Sequence, residues 1–530
     1  MKNSFFLVIP AQESKPERLK EFESKALENW LIELPTANPG LATRLLHDHI
    51  VESNALKMSP QVRLDALEQM RPKYLIIEDY LRSRLISNAF PKGENDLKIL
   101  QVLASLEKEF TIGYWIALKE ITHRQVSWFQ GRNLGLTLQR CIKGLSSVVI
   151  SHFIMGLPIP DWVWIDLHSL YKLSVKLKKD SVKVPDSTNI VNKASSPEEC
   201  YRQILLLFLS KPTGLMQKEI QQVYGFIETF FPLFNLSPLA VEGQHTQFAI
   251  LTDEDKPPQV QVEMHTSRDS ATLYLDVTRV LKALEKKDKY ISQNQTRFTS
   301  MHVLKNQEEK PPLELLEYLE HRWSGIELQN EALFSDRLDR YMSIGMVPAH
   351  ELQRDASSRA KDNSPEQETL VHSESDRLLF CTFNKTGILS VGNLVSYRKI
   401  DQPVHKRCLA VINELIVAKQ SGKISFGITL LTTHYDAVYY VMANANDSEQ
   451  PSKGLFYNSD DQIEEASYLV VDNYMLKEGD LIKMRLNQEN IFLVLKGKKN
   501  VGLGYWQFEC QRVVNKIIEK DQPKKGYDFI

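Results

Sequence analysis

Cysteine is scarce in this chain, and net charge is almost absent. The five cysteines among 530 residues, Cys141, Cys200, Cys381, Cys408 and Cys510, lie far apart and form no C-x-x-C pair. An odd, scattered set argues against a disulfide framework or a cysteine-based zinc site, and fits a reducing cytoplasm. Lysine and arginine number 65 against 67 aspartate and glutamate, a formal charge of −2. No global field therefore draws the chain to nucleic acid or to an anionic membrane. A long hydrophobic run is missing too. The most apolar window, Val148 to Ile165, is interrupted by His152, Pro158, Pro160 and Asp161, whereas a bilayer span needs about 20 apolar residues. The N-terminal run Phe5–Ile9 stops at Pro10 and falls short of the roughly 7–15 apolar residues of a signal peptide. A short strand or ordered arm is expected there.

Catalytic signatures are also lacking. There is no P-loop, no G-x-G-x-x-G after a strand, no H-E-x-x-H and no G-x-S-x-G, so no residue is assigned a catalytic role. His47-Asp48-His49 has the composition of a metal site. Residues two apart on a helix face different sides, however, so one surface and one partly buried histidine are expected and no metal ligand is assigned. The aromatic stretches Tyr114-Trp115, Trp128-Phe129 and Trp162-Val163-Trp164 are read as core at helix spacing.

What is present suits a folded chain too long for one core, 42% hydrophobic and 25% charged. From about Ser14 to Val182 apolar residues recur at helix spacing. Asn38-Pro39, Ser59-Pro60 and Arg71-Pro72 each open a new segment, with proline at its favoured first-turn position. Such helices joined by short connections imply an antiparallel bundle or a solenoid of helix pairs. Helices resume at Pro197–Leu209 and Leu215–Phe234, and Gln247–Thr252 with Val260–Met264 read as a strand pair. Residues 350–375 are rich in Ser, Asp, Glu, Gln and Lys and are expected to be a disordered insert. Alternating strands then continue to about Val514. The expected order is a helical domain (1–184), a mixed α+β region (197–324) and a small antiparallel β-barrel domain (325–515). Helices followed by strands point to a multidomain α+β architecture rather than a doubly wound fold.

One pair of features suggests a ligand. Arg337 and Arg340 precede the expected first strand Tyr341–Val347, and an arginine fork can grip phosphate or stack on a purine. Beyond the insert comes Asn384-Lys385-Thr386-Gly387, where Asn and Thr can bond a base edge and Gly387 permits close backbone approach. Each feature alone also has an ordinary reading. The arginines could pair with Asp336 or Asp339, and the tetrad could be a plain hairpin turn.

Together with Val391-Gly392-Asn393-Leu394-Val395 and Gly427-Ile428-Thr429-Leu430, these residues resemble a PilZ-type domain. Trp30-Leu31-Ile32-Glu33-Leu34-Pro35-Thr36-Ala37-Asn38-Pro39 resembles a phrase in a group of proteobacterial proteins with a long helical N-terminal part and an atypical PilZ-like C-terminal part. The resemblance implies a six-stranded barrel that binds cyclic di-GMP. Arg337 and Arg340 would clamp phosphates and guanines, Asn384 and Thr386 would touch a guanine edge, and Gly387 would shape the loop. The sequence departs from the family pattern in three places. The arginines are one residue closer than R-x-x-x-R, Thr386 stands for Ser, and Leu389 stands where the second motif ends in Gly. Arg354 or Arg359 could replace one arginine. The implied function is a non-enzymatic cytoplasmic sensor or adaptor with cyclic di-GMP as ligand, no other cofactor, and an unidentified protein partner. A ligand-silent interaction scaffold with a degenerate barrel is the alternative.

Overall fold

The computed structural model describes residues 9–123, 131–191, 193–243, 245–260, 271–285, 313–326, 332–355, 367–418, 422–445, 450–459, 466–486 and 489–513. The chain forms two compact units. The first comprises Met1–Gln329 with Thr382–Ile388 and Glu414–Ile424; the second comprises Asn330–Cys381, Leu389–Asn413 and Ser425–Ile530.

In the first unit, helix starts are written into short polar pairs. After the single turn α1 (Pro16–Leu19) and α2 (Ser24–Glu33), α3 (Pro39–Ala55) begins where the Asn38 side chain accepts the Leu41 N–H. Ser59 does the same for Val62 at the start of α4 (Pro60–Ile86). Each cap satisfies a backbone donor that the first helical turn cannot, and proline at the first position costs nothing there. Then follow α5 (Glu94–His123), α6 (Gly131–Ile154) and α7 (Val163–Lys176). Ser196 forms a capping box with Glu199 at the start of α8 (Pro197–Leu209), and α9 (Gln217–Phe226) follows.

Pro72 does not start a helix, contrary to the sequence reading; α4 runs straight through it. Met70, Tyr74 and Ile77 on either side are buried in the helical core. Tertiary burial, at about 1.5–3 kcal/mol per large side chain, outweighs the hydrogen bond that proline forfeits. Helices α5 and α6 approach closely at Gly144, where an added Cβ would lie 2.2 Å from Thr111 Oγ1. Trp115, Tyr114 and Trp164 are buried as expected; Trp128-Phe129 lie outside the described residues.

A four-stranded antiparallel sheet completes this unit, built from β3 (Asn235–Ser237), β4 (Gln247–Leu251), β5 (Gln259–Val260) and β6 (Thr272–Asp276) in the order β3-β6-β4-β5. Earlier in the chain β1 (Val184–Pro185) pairs with β2 (Ala194–Ser195). The expected β4–β5 pairing is present at Phe248↔Val260; residues 261–264 of the expected partner lie outside the described residues. After α10 (Thr278–Leu284), α11 (Leu313–Trp323) is pinned by Trp323, whose indole donates to Leu206 O and Ser210 Oγ.

Two closed six-stranded barrels follow in the chain, where the sequence suggested one. The first contains β7 (Arg340–Ile344), β8 (Thr369–Ser373), β9 (Leu379–Thr382), β10 (Leu394–Lys399), β11 (Cys408–Val417) and β12 (Lys423–Thr432), in the order β10-β11-β12-β9-β8-β7. Pairing of β7 with β10, from Ile344↔Val395 to Arg340↔Lys399, closes it. The second runs β13 (Asp436–Met442), β14 (Ser452–Asn458), β15 (Ser467–Val471), β16 (Leu481–Leu486), β17 (Glu489–Gly502) and β18 (Tyr505–Arg512). Its order is β13-β14-β15-β18-β17-β16, closed between β13 and β16. Closure depends on which distant strands pair, and strand-by-strand alternation does not encode that choice.

Of the stretch expected to be a disordered insert, residues up to Asp355 belong to α12 (Met346–Asp355) and Thr369–Ser373 form β8, while 356–366 lie outside the described residues. Helix α12 buries Met346 and Ala349 against Leu394 and Leu409 of the first barrel and Leu455 and Val470 of the second. Gly392 and Gly502 meet backbone to backbone, Leu503 N–H donating to Gly392 O at 2.7 Å. A Cβ on Gly502 would fall 2.2 Å from that carbonyl, and Gly392 has φ +85°, so both positions call for glycine.

Candidate functional site

The arginine arm lies in the second unit and treats its two arginines differently. Arg340 opens β7 with its side chain 1% exposed. Its guanidinium donates to Asp336 Oδ1 at 2.7 Å and to Leu338 O, and stacks over the Phe334 ring 4.7 Å away. Burial tends to raise the Asp336 carboxyl, but hydrogen bonds from Lys399 and Arg340 hold it down at about 2. Arg340 is thus part of a closed ion pair in this conformation. Arg337 is exposed and sits at φ +55°, and among the described residues its side chain makes one hydrogen bond, to Glu374 O at 3.1 Å. Most of its donors are open to solvent. Arg398 and Arg407 of the same barrel are taken up by Glu368, which accepts from both. Arg354 donates to the Tyr439 hydroxyl at 2.7 Å, and Arg359 lies outside the described residues.

The Asn384–Gly387 loop belongs to the first unit, so the two halves of the predicted site fall in different units. Its backbone is clamped on one side. Gly387 N–H donates to Pro91 O at 3.0 Å, Ile388 N–H to Phe90 O at 2.9 Å, and Phe383 N–H to Gly422 O at 3.1 Å. Gly387 turns the chain at φ +73°, a conformation that favours glycine. The side chains of Asn384, Lys385 and Thr386 are exposed, and among the described residues those of Asn384 and Thr386 have no hydrogen-bond partner. A fixed backbone presenting unused amide and hydroxyl groups is suited to a base edge or a phosphate oxygen. Leu389, which replaces the family's glycine, is fully buried.

Sequence reasoning missed the element that clamps the loop, Phe90-Pro91-Lys92-Gly93. Lys92 donates to the carbonyls of Leu85 and Asn88, and burial lowers its ammonium to about 8. The Pro-Lys-Gly turn between two long helices was its only local signal, and nothing local reveals a partner nearly 300 residues away.

The histidine motif separates as expected of a helix. His47 bonds Ser105 Oγ at 2.9 Å, whereas His49 is stacked between the rings of Phe22 and Trp30, 4.4 and 4.0 Å away. Glu21, His49 and Glu52 bring ligand-type atoms within 4.8 Å of one another. Arg18 already pairs with both carboxylates, and burial holds the His49 imidazole at about 4, against the pull of Glu21. The ion cluster is Arg18 with the two carboxylates, beside a neutral imidazole.

With the geometry described, comparison with known proteins adds a direction. Residues 25–240 match the family model "Cyclic-di-GMP receptor FimW, N-terminal domain". The chain is also 23% identical over 326 residues to the Cyclic-di-GMP receptor FimW of Pseudomonas aeruginosa, covering 62% of this chain and 52% of that relative. The chain thus spans about half the length of the curated FimW it matches. No solved structure matches the chain. The FimW-matched region takes in helices α3 to α9 and the Phe90–Gly93 clamp. Arg337, Arg340 and the Asn384–Gly387 loop lie beyond it. Among the described residues no helix is long and apolar enough to cross a membrane.

Proposed function

We propose that this protein is a non-enzymatic cyclic di-GMP-responsive signalling protein of the cytoplasm, with a PilZ-like first barrel and a helical interaction platform. The observation that carries the reading is the match of residues 25–240 to the N-terminal domain of the Cyclic-di-GMP receptor FimW. Support comes from the loop that this region clamps, whose Asn384 and Thr386 side chains are exposed and have no hydrogen-bond partner among the described residues. Asn384 and Thr386 are assigned to hydrogen bonds with a guanine edge, and Gly387 to the loop conformation that presents them. On the arm, Arg337 is assigned to phosphate. Arg340 contributes only when a ligand oxygen replaces Asp336, an exchange of one charge-assisted partner for another. Ligand binding then shifts the population of arm conformations, and a protein partner reads that shift.

A ligand-silent scaffold is the second reading, favoured by the burial of Arg340 against Asp336. Isothermal titration with cyclic di-GMP separates the two. Saturable binding that weakens about 10- to 100-fold in Arg337→Ala, the equivalent of one charge-assisted contact, supports the receptor. Absence of binding supports the scaffold.

A further inference from the structure

The second barrel carries its charge unevenly. Its last three strands, β16 to β18, span Leu481–Arg512 and hold six lysines and arginines against two acids, Glu489 and Glu509, a net +4. The preceding part, Asp436–Asp480, holds ten acidic residues against two lysines. The strand pattern sorts the basic residues further. Ile482, Met484, Leu493 and Leu495 fill the barrel core, so the alternate residues of β16 and β17 point outward.

Cross-strand rows define that outward face. In one row Arg485 lies between Tyr439 of β13 and Asn490 of β17; in the next Lys483 lies between Val441 and Phe492. Farther along β17, Lys496 sits opposite Glu509 of β18. Among the described residues Lys483, Arg485 and Lys496 form no ion pair. A face built only for solubility gains from opposite charges set across from one another. The two neighbouring cations of β16 instead have neutral or aromatic residues on both sides. Phe492 is half-exposed and lies outside the barrel core, and Asn490 is exposed with no hydrogen-bond partner for its amide among the described residues. From the Arg485 row to Lys496 the face runs six residues of β17, about 20 Å at about 3.3 Å each. Cations, an aromatic ring and an open amide on one sheet face suit single-stranded nucleic acid, whose bases are free to stack. A duplex offers no unstacked base, and an acidic peptide leaves the ring without a stacking partner.

We propose, independently of the cyclic di-GMP reading, that the outward face of β16 and β17 binds a short single strand of RNA or DNA. Lys483, Arg485 and Lys496 hold phosphates, Phe492 stacks on a base, and Asn490 meets a base edge. The test uses the full chain and the fluorescence anisotropy of end-labelled uridine and thymidine oligomers of about 12 nucleotides. Unlabelled duplex and polyglutamate serve as competitors. Saturable binding at about 50 mM salt is expected, with log K falling against log salt at a slope of about −2 for three phosphate contacts. Tighter binding of the uridine oligomer identifies RNA, tighter binding of the thymidine oligomer identifies DNA, and equal binding shows a face indifferent to the 2′-hydroxyl. Joint substitution of Lys483→Glu and Arg485→Glu should weaken binding at least tenfold. Phe492→Ala should weaken it at least fivefold through lost stacking. Both proteins should keep the wild-type melting midpoint, since none of these side chains enters the core. Absence of binding, binding unchanged in the folded variants, or displacement by duplex or polyglutamate as readily as by unlabelled single strand overturns the proposal.

Discussion

Glu219 offers a perturbation whose size and pH dependence can both be worked out beforehand. It lies at the third position of α9, 9% exposed, and its carboxylate accepts the Met216 N–H at 2.8 Å. Burial pushes its pKa up to about 7, against the smaller opposing effects of the Met216 N–H and Lys218. A carboxyl raised from an ordinary 4.5 to about 7 binds more protons in the folded state than in the unfolded state throughout that interval. Its effect on stability is therefore nil below about pH 4.5, grows increasingly unfavourable as pH rises toward 7, and is flat above that. At 1.36 kcal/mol per pKa unit the full penalty is about 3 kcal/mol. Glu219→Gln keeps an oxygen acceptor for Met216 and cannot ionise. The variant should match the wild type near pH 4.5 and melt at a higher temperature at pH 8. The difference between the two melting midpoints, followed from pH 4.5 to 8.5, isolates this group because all other titrations cancel. A difference that stays constant with pH, or that grows toward acid, would refute the reasoning.

Three further predictions follow from packing and from the arginine arm. Gly144→Ala drives a methyl group into Thr111, whose hydroxyl is already fixed on Glu107 O; a loss of about 1–3 kcal/mol should appear as a lower urea midpoint. Arg340→Ala should cost about 1–3 kcal/mol, by removing a buried side chain and its charge-assisted hydrogen bond to Asp336, and lower the barrel's melting midpoint. Arg337→Gly should leave that midpoint unchanged or raised, since φ +55° favours glycine, while weakening cyclic di-GMP binding at least tenfold; equal effects of the two substitutions on stability would contradict the assignment of Arg337 as an open residue.

Much of the helical architecture was legible because its signals are local. Asn38-Pro39 and Ser59-Pro60 start helices where side-chain caps and proline act within one turn. Pro72 misled because its cost is offset by tertiary packing, which a local reading does not include. The strands were visible as alternating segments, yet their grouping into two barrels rests on pairings such as β13 with β16 and β15 with β18. The candidate ligand residues were legible by type. What each touches was not: Arg340 and Arg337 have similar local sequence settings, but one is buried on Asp336 and the other faces solvent. The clamp on the Asn384 loop comes from Phe90 and Pro91, remote in sequence and carrying no motif.

The most direct test of the receptor reading is calorimetric titration of the full chain with cyclic di-GMP, repeated with Arg337→Ala and Asn384→Ala. The reading predicts saturable binding to the wild type, weakened at least tenfold in each variant while each retains its melting midpoint. No detectable binding, or binding that both variants leave unchanged, would contradict it.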